Sequence, residues 1–358
     1  MDINLQGKST FPNSASFSTH TTSRDQMATQ ASRAKSPEKN QNPEDALLQL
    51  PFDFLTQVTK GFSEEQKLSG QFATFYKGTM PDGQVITVKK LARNGVIPAD
   101  DQYDKEIMYL RQIQHENILK LVGFCSEAVP EQLEHKGKNI EQKGKEILMD
   151  GDSDYLLCYE YAQKSLREFL SDDANIVDWA TNFKIIKGII HGLHFLHEKM
   201  DGPIVHMDLQ PANILLDANM VPKIANFSLS RRFGQEQTEM ETDKVVGVKG
   251  YMAPEYLYSG EISPQCDIYS LGVLMMEIAT RVENRPNDKD MSARNFIASV
   301  RQTWTDEHIA SQYSSLDPND IQDVKICIDT GLKCVDVAQK NRPSIVEIVN
   351  IFSRKRGM

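Results

Sequence analysis

Hydrophobic periodicity changes once along this chain, near Ser165, and that single change limits the available folds. Before it, short runs rich in β-branched and aromatic residues read as strands at 72–76, 85–89, 118–124 and 155–161. Pro81-Asp82-Gly83 marks a turn between the first two. One helical stretch, 103–113, interrupts them. After Ser165 the pattern is mostly helical: a strong amphipathic run at 183–197, then 270–279, 295–300, 323–337 and 344–352. Strands gathered in one half and helices in the other predict an α+β chain rather than alternating βαβ units. No internal repeat is present.

The flanks carry less order. Residues 1–45 are rich in Ser, Thr, Asn and Gln and poor in apolar residues, so this tail cannot bury enough surface to offset its ordering entropy and is expected to be disordered. It contains one candidate phosphosite, Ser36-Pro37. Apolar residues begin at Leu47, and Leu50, Phe52, Phe54, Leu55 and Val58 recur at roughly helical spacing. Residues 126–154 form a polar, charge-mixed insertion between two strands, either a loop or a partner-docking segment. The short basic run 353–356 reads as a solvated tail.

Composition closes off several function classes. The chain has 358 residues, 40% of them hydrophobic and 25% charged, enough for one large domain or two lobes behind a tail. A net charge of -10 lacks the positive field that nonspecific nucleic-acid binding needs, so no nucleic-acid partner is expected. The longest apolar stretch, 271–279, is far short of a membrane span of ~18 residues and contains Gly272 and Glu277, so it reads as a core helix. No secretory leader pattern is read at the start of the sequence, and with Asp2 in second position no N-myristoylation is expected. Five cysteines, Cys125, Cys158, Cys266, Cys327 and Cys334, show no CxxC spacing and mostly sit in apolar segments. They are expected to be reduced and buried in a cytoplasmic protein.

The middle of the chain carries chemistry-bearing motifs in a fixed order. Lys89 closes Ile86-Thr87-Val88-Lys89, and Glu106 follows in the helical stretch. Then come His206-Met207-Asp208-Leu209-Gln210-Pro211-Ala212-Asn213, Asn226-Phe227-Ser228 and Ala253-Pro254-Glu255. This series resembles the eukaryotic protein kinases, with an HRDLxxxxN-like loop, a DFG-like triplet, an APE-like triplet, the strand lysine and the helix glutamate. The resemblance covers about residues 52–353. Finer features are similar to the plant receptor-like Ser/Thr kinases: Phe75-Tyr76-Lys77-Gly78, residues 121–125 (LVGFC), 250–256 (GYMAPEY) and 266–272 (CDIYSLG).

The resemblance implies a bilobal protein-kinase fold, with a first lobe over 46–163, a second over 164–353, and tails at 1–45 and 354–358. It implies ATP with Mg²⁺ as the ligand set. It places Gly70, Lys89, Glu106, Glu160 and Ala162 at nucleotide-binding positions, Asp208 at the catalytic base, and Asn213 and Asn226 at the metal positions. Leu110, Leu121, His206 and Phe227 match the hydrophobic spine that couples the lobes, with Asp267 as its anchor. Glu255 and Arg342 match a buried ion pair. The implied partners are other kinases or receptor complexes, met in the cytoplasm or at the plasma membrane through a partner.

Several positions depart from the family pattern. Phosphoryl transfer relies on positioning and charge neutralisation, and each departure touches one of those parts. Of the three glycines that let backbone amides approach the phosphates, the aligned residues are Leu68, Gly70 and Ala73, so only Gly70 remains. Phe75 and Thr87 replace smaller residues over the base. Met207 replaces the arginine before Asp208, making the sequence non-RD and removing the usual partner of a phosphorylated activation loop. Gln210 replaces the lysine that meets the γ-phosphate. Asn226 replaces the metal-binding aspartate, and hard divalent cations favour carboxylate oxygen. Ser228 replaces a glycine, and Val248 a threonine of the peptide site. Lys89 and Glu106 are retained, either to hold phosphates or to fix their helix without nucleotide.

These departures point to a catalytically impaired pseudokinase acting as scaffold or allosteric partner. An active Ser/Thr kinase with an atypical metal site is the alternative, and nucleotide as a purely structural ligand is a third reading. Thr238 and Thr242 are candidate phosphosites in the activation segment. His191, His194 and His197, three residues apart on one helix, lack the carboxylate or Cys company of a metal site.

Overall fold

Proline and capping side chains set the helix boundaries. In this computed structural model, residues 47–68, 73–91, 98–128, 153–172, 178–234, 236–286 and 292–353 are described. The expectations for the tail 1–45 with Ser36, for Gly70, for most of the insertion (129–152) and for 354–358 lie outside the described residues. The first lobe is built on a six-stranded sheet: β1 (Leu48–Gln49), β2 (Lys67–Leu68), β3 (Ala73–Thr79), β4 (Val85–Leu91), β5 (Leu121–Ala128) and β6 (Ser153–Glu160). The strand order is β1-β5-β6-β4-β3-β2, and only the short β1–β5 pair is parallel.

Two helices flank this sheet, α1 (Phe52–Val58) and α2 (Ala99–Leu110). The helical spacing from Leu50 is realised only after Pro51, whose extended backbone starts α1; Leu48 and Gln49 pair as a strand instead. Pro98 starts α2 four residues earlier than the apolar pattern suggests, and Asp100 and Asp101 occupy its first turn, where the helix dipole favours negative charge. The strand expected over 118–124 is shifted: β5 begins at Leu121, while Ile118 makes a single bridge to Ile224. Residues 126–128 and 153–154, assigned to the insertion from sequence, instead lengthen β5 and β6, with Ser126, Glu127 and Ala128 opposite Tyr155, Asp154 and Ser153.

Strand alternation divides the sheet's two faces. Ile86 and Val88 of β4, with Leu156 and Cys158 of β6, join Leu55 and Val58 of α1 in a small upper core. The intervening residues face the other way: Leu91, Leu157 and Tyr159 belong to a second cluster that continues through Leu110, Leu121 and Phe227 into the helical lobe. One apolar core thus runs through both lobes.

The second lobe begins at β7 (Lys164–Ser165) and α3 (Leu166–Ser171), whose start carries a reciprocal Ser165–Glu168 capping box. It continues with α4 (Trp179–Glu198), β8 (Ile204–Val205), β9 (Ile214–Leu216), β10 (Pro222–Ile224), β11 (Arg231–Arg232) and β12 (Met240–Glu241). Then follow α5 (Pro254–Ser259), β13 (Glu261–Ile262), α6 (Pro264–Thr280), α7 (Arg294–Thr303), α8 (Asp306–Gln312), α9 (Pro318–Cys334) and α10 (Ile345–Ser353). From Cys266 to its end every residue of α6 is buried, as a helix apolar all round must be. The two-lobed α+β arrangement expected from sequence is the one observed. All five cysteines are buried, and burial pushes the Cys158 and Cys334 thiols up to about 12.

Candidate functional site

The site is assembled where the inner face of β4 meets the loops that follow β8 and β10. Lys89 stands on that inner face by strand alternation, two residues before Leu91 of the shared core. Its ammonium pairs with the fully buried Glu106 carboxylate of α2. The Tyr159 hydroxyl of β6 donates to the other oxygen of the same carboxylate. Burial and the Glu106 charge push the Tyr159 phenol well above its ordinary value, so it stays a donor. Glu106 is therefore satisfied from two elements at once, which fixes α2 against the sheet.

Asp267, in the first turn of α6, supports the catalytic-type loop from below. It accepts the backbone N–H of His206 at 2.6 Å and that of Met207 at 2.8 Å, and lies 3.0 Å from His197 Nε2. His206 is buried and held neutral by desolvation. Its Nε2 donates to the Ala225 carbonyl at 3.0 Å and its Nδ1 accepts from the Asp208 N–H at 3.3 Å. The His206 ring stacks edge-on against Phe227 with centroids 4.9 Å apart. Met207 is buried in the core with φ of 69°. A left-handed backbone is costly for such a residue, on the order of 1–2 kcal/mol, and Asp267 holds it in place.

Asp208 projects from this loop and is 8% exposed. Three side-chain amides donate to its carboxylate: Gln210 at 3.0 Å, Asn213 at 2.6 Å and Asn226 at 3.0 Å. Desolvation nonetheless pushes the Asp208 carboxyl up to about 7, partly offset by those three hydrogen bonds and by the Lys89 charge.

Asn226 also has a left-handed backbone, φ 69°, which asparagine tolerates. Its Oδ1 accepts from Lys89 Nζ at 3.2 Å and from Ser228 Oγ at 3.1 Å. Its Nδ2 donates to Asp208 Oδ2 and, at 3.4 Å, to Asn213 Oδ1. The opposite amide orientation would turn its N–H groups toward an ammonium and its oxygen toward a carboxylate, so the neighbours fix it.

This donor set does not fit a divalent cation. Mg²⁺ requires oxygens facing it, and the Asn226 group that faces Asp208 and Asn213 is an N–H donor. Among the described residues no group of three or more His, Cys, Asp or Glu is placed to hold a metal, the helix histidines included.

Register places Phe75 of β3 directly opposite Lys89, and Phe75 is half-buried outside both core clusters. Thr87 faces the same side, and its hydroxyl has no hydrogen-bond partner among the described residues. Glu160 ends β6; its carboxylate accepts the Lys120 N–H at 2.9 Å and pairs with Lys223 at 3.1 Å. Ala162 is buried just beyond. Thr238 is exposed, whereas Thr242 is half-buried and its hydroxyl is bonded locally to Lys244. Glu255 and Arg342 form a two-pronged pair at 2.6 and 2.7 Å, with the guanidinium over the Tyr269 ring. Tyr159 was missed by sequence reasoning, and His197 was singled out there only as one of three helix histidines, not as a partner of Asp267. The only sequence trace of Tyr159 was its place on the buried face of its strand.

Residues 62–351 match the family described as the protein kinase domain. Cysteine-rich receptor-like protein kinase 29 of Arabidopsis thaliana is 35% identical over 310 residues, 84% of this chain and 42% of that protein. Cysteine-rich receptor-like protein kinase 44 of the same plant is 34% identical over 319 residues, 86% of this chain and 77% of that protein. A G-type lectin S-receptor-like serine/threonine-protein kinase of that plant is 34% identical over 312 residues, 85% of this chain and 34% of that protein. The chain therefore spans less than half the length of the first and third of these relatives.

Proposed function

This chain belongs to the protein kinase family, and from that premise we propose that it is a receptor-like pseudokinase: its fold is kept and its phosphoryl transfer is lost. It serves as a scaffold or allosteric partner of an active kinase, in the cytoplasm or at the plasma membrane through that partner. Protein kinase domains use ATP and Mg²⁺ in general. Here the observation that carries the reading is the Asn226 amide nitrogen, bonded to Asp208 where the family motif has a metal-binding carboxylate. Every factor of ten lost in rate is ~1.4 kcal/mol of barrier. Loss of the metal carboxylate, of two of three loop glycines and of the lysine now replaced by Gln210 each removes a different contact with the same phosphates. Met207 adds to the reading, because a buried thioether cannot order a phosphorylated activation segment.

The preserved half of the site supports a signalling surface rather than chemistry. Lys89–Glu106, the Asp267 anchor and Glu255–Arg342 are all made, so the domain holds a defined lobe arrangement that a partner can read. No helix of the described residues is long and apolar enough to cross a membrane. The test is transfer of labelled phosphate from ATP, with Mg²⁺ or Mn²⁺, by the full chain beside Asp208→Ala. The reading expects the two to be indistinguishable on self and on a general protein substrate. Transfer by the parent that vanishes in Asp208→Ala would establish the active-kinase alternative instead.

A second reading, nucleotide as a structural ligand, is favoured by one feature. Thr87 presents an unused hydroxyl on the same face as a preformed Lys89–Glu106 pair. A nucleotide held there would stabilise the domain without any transfer.

A further inference from the structure

We propose that the Asn226 side-chain amide takes the part of the divalent cation, joining Lys89 to Asp208 and Asn213 so that the inter-lobe site is complete without any metal. This deepens the pseudokinase reading and rests on it. A cation here would be held by the residue at 226 and by Asn213, and would offset the charge of the neighbouring Asp208. The amide links these groups with hydrogen bonds instead. Its oxygen takes the Lys89 ammonium and the Ser228 hydroxyl, and its nitrogen gives one bond to Asp208 Oδ2 and one to Asn213 Oδ1.

The wider wiring points the same way. Gln210 occupies the other Asp208 oxygen, and Asn213 donates to Asp208 Oδ2 and to its backbone carbonyl. Asp208 is thus surrounded by neutral amides, all donating. Buried acceptors saturated in this way gain nothing from an entering cation, which would have to displace bonds already made. Ser228 belongs to the same device, since a glycine there could not donate to the Asn226 oxygen.

An aspartate at 226 has two acceptors and no donor. It would keep the Lys89 contact but set a second carboxylate against Asp208, and once the pH is high enough that neither carboxyl keeps a proton, like charges at that separation need a cation between them. Asn226→Asp should therefore create a metal requirement that the parent lacks.

The experiment is thermal melting of the full chain in EDTA, and in millimolar Mg²⁺ or Mn²⁺, with no nucleotide added and at a pH well above that at which the Asp208 carboxyl holds a proton. The parent midpoint is expected to be the same in all three. Asn226→Asp is expected to melt several degrees lower in EDTA and to recover saturably with Mn²⁺ or Mg²⁺. Asn226→Ala, which has neither donor nor acceptor, is expected to melt lower than the parent and to ignore metal. The inference is overturned by a saturable metal shift in the parent, by Asn226→Asp as stable as the parent in EDTA, or by a loss in that variant that metal does not restore. If Asn226→Asp is recovered only as aggregate, Asn226→Ala decides: a midpoint equal to the parent overturns the inference. Failure here leaves the pseudokinase reading standing, because that reading falls only to Asp208-dependent phosphate transfer by the parent.

Discussion

Arg342 spends its whole guanidinium on fixed partners: both Glu255 oxygens, the Asp336 carbonyl at 2.8 Å and the Gln265 carbonyl at 2.9 Å. Arg342→Ala would leave a nearly buried carboxylate unpaired, and breaking such a pair typically costs 3–5 kcal/mol (order of magnitude). Urea unfolding of the variant should show a loss of about that size, and a loss below ~1 kcal/mol would contradict the account. Tyr159→Phe should cost less, on the order of 1.5–3 kcal/mol, the range for a hydrogen bond to a charged group. Its measurable sign is faster hydrogen exchange in the helix that carries Glu106. The two residues differ in legibility. Arg342 was readable because a motif fixes its partner, as were Lys89, Glu106 and Asp267. Tyr159 meets Glu106 across 53 residues of chain, and His197 approaches Asp267 across 70. No local pattern announces a buried polar pair at such separation. The amide cage was half legible: Asn226 and Gln210 stood out as departures, but that they bond one carboxylate became visible only in three dimensions.

Elements show the same division. Helices α6 and α9 cross at Gly272 and Gly331. A Cβ on Gly272 would lie 2.6 Å from Cys334 Cβ and 2.8 Å from the Gly331 carbonyl oxygen. Alanine is the better helix former by ~1 kcal/mol, yet this approach leaves no room for its methyl. Overpacking of this kind typically costs about 1–3 kcal/mol. Gly272→Ala should therefore lower the denaturation midpoint, and a rise would show that the helices part easily. Periodicity alone placed the long helices but not their ends. Pro51, Pro98 and the Asp317-Pro318 cap moved three starts away from the apolar pattern. The two- and three-residue strands of the second lobe were illegible, because so short a segment has no period to detect.

At the scale of the whole molecule, buried carboxyls make stability depend on pH. Burial pushes Glu277 up to about 7, although it accepts from the Tyr251 hydroxyl at 2.8 Å and from the Asn284 N–H at 2.7 Å. Between the ordinary carboxylate range and about 7 the folded chain holds this proton and the unfolded chain does not. Stability therefore falls as pH rises through that window, at up to about 1.4 kcal/mol per pH unit for one group. Asp208 adds to the same trend. Unfolding free energies should be higher near pH 5 than near pH 8 on this account, and Glu277→Gln should flatten the slope. An identical slope in the variant would remove Glu277 as a cause.

The central claim is that this kinase fold is complete without a metal. Its most direct test is the melting midpoint of the full chain with millimolar ATP alone, and with ATP plus Mg²⁺ or Mn²⁺. A ligand at 100 times its Kd stabilises by roughly 2.7 kcal/mol, which is ample to resolve. The account predicts that metal changes nothing: the ATP shift is the same with and without it, whether that shift is several degrees or zero. A shift that appears only when metal accompanies ATP would contradict the account.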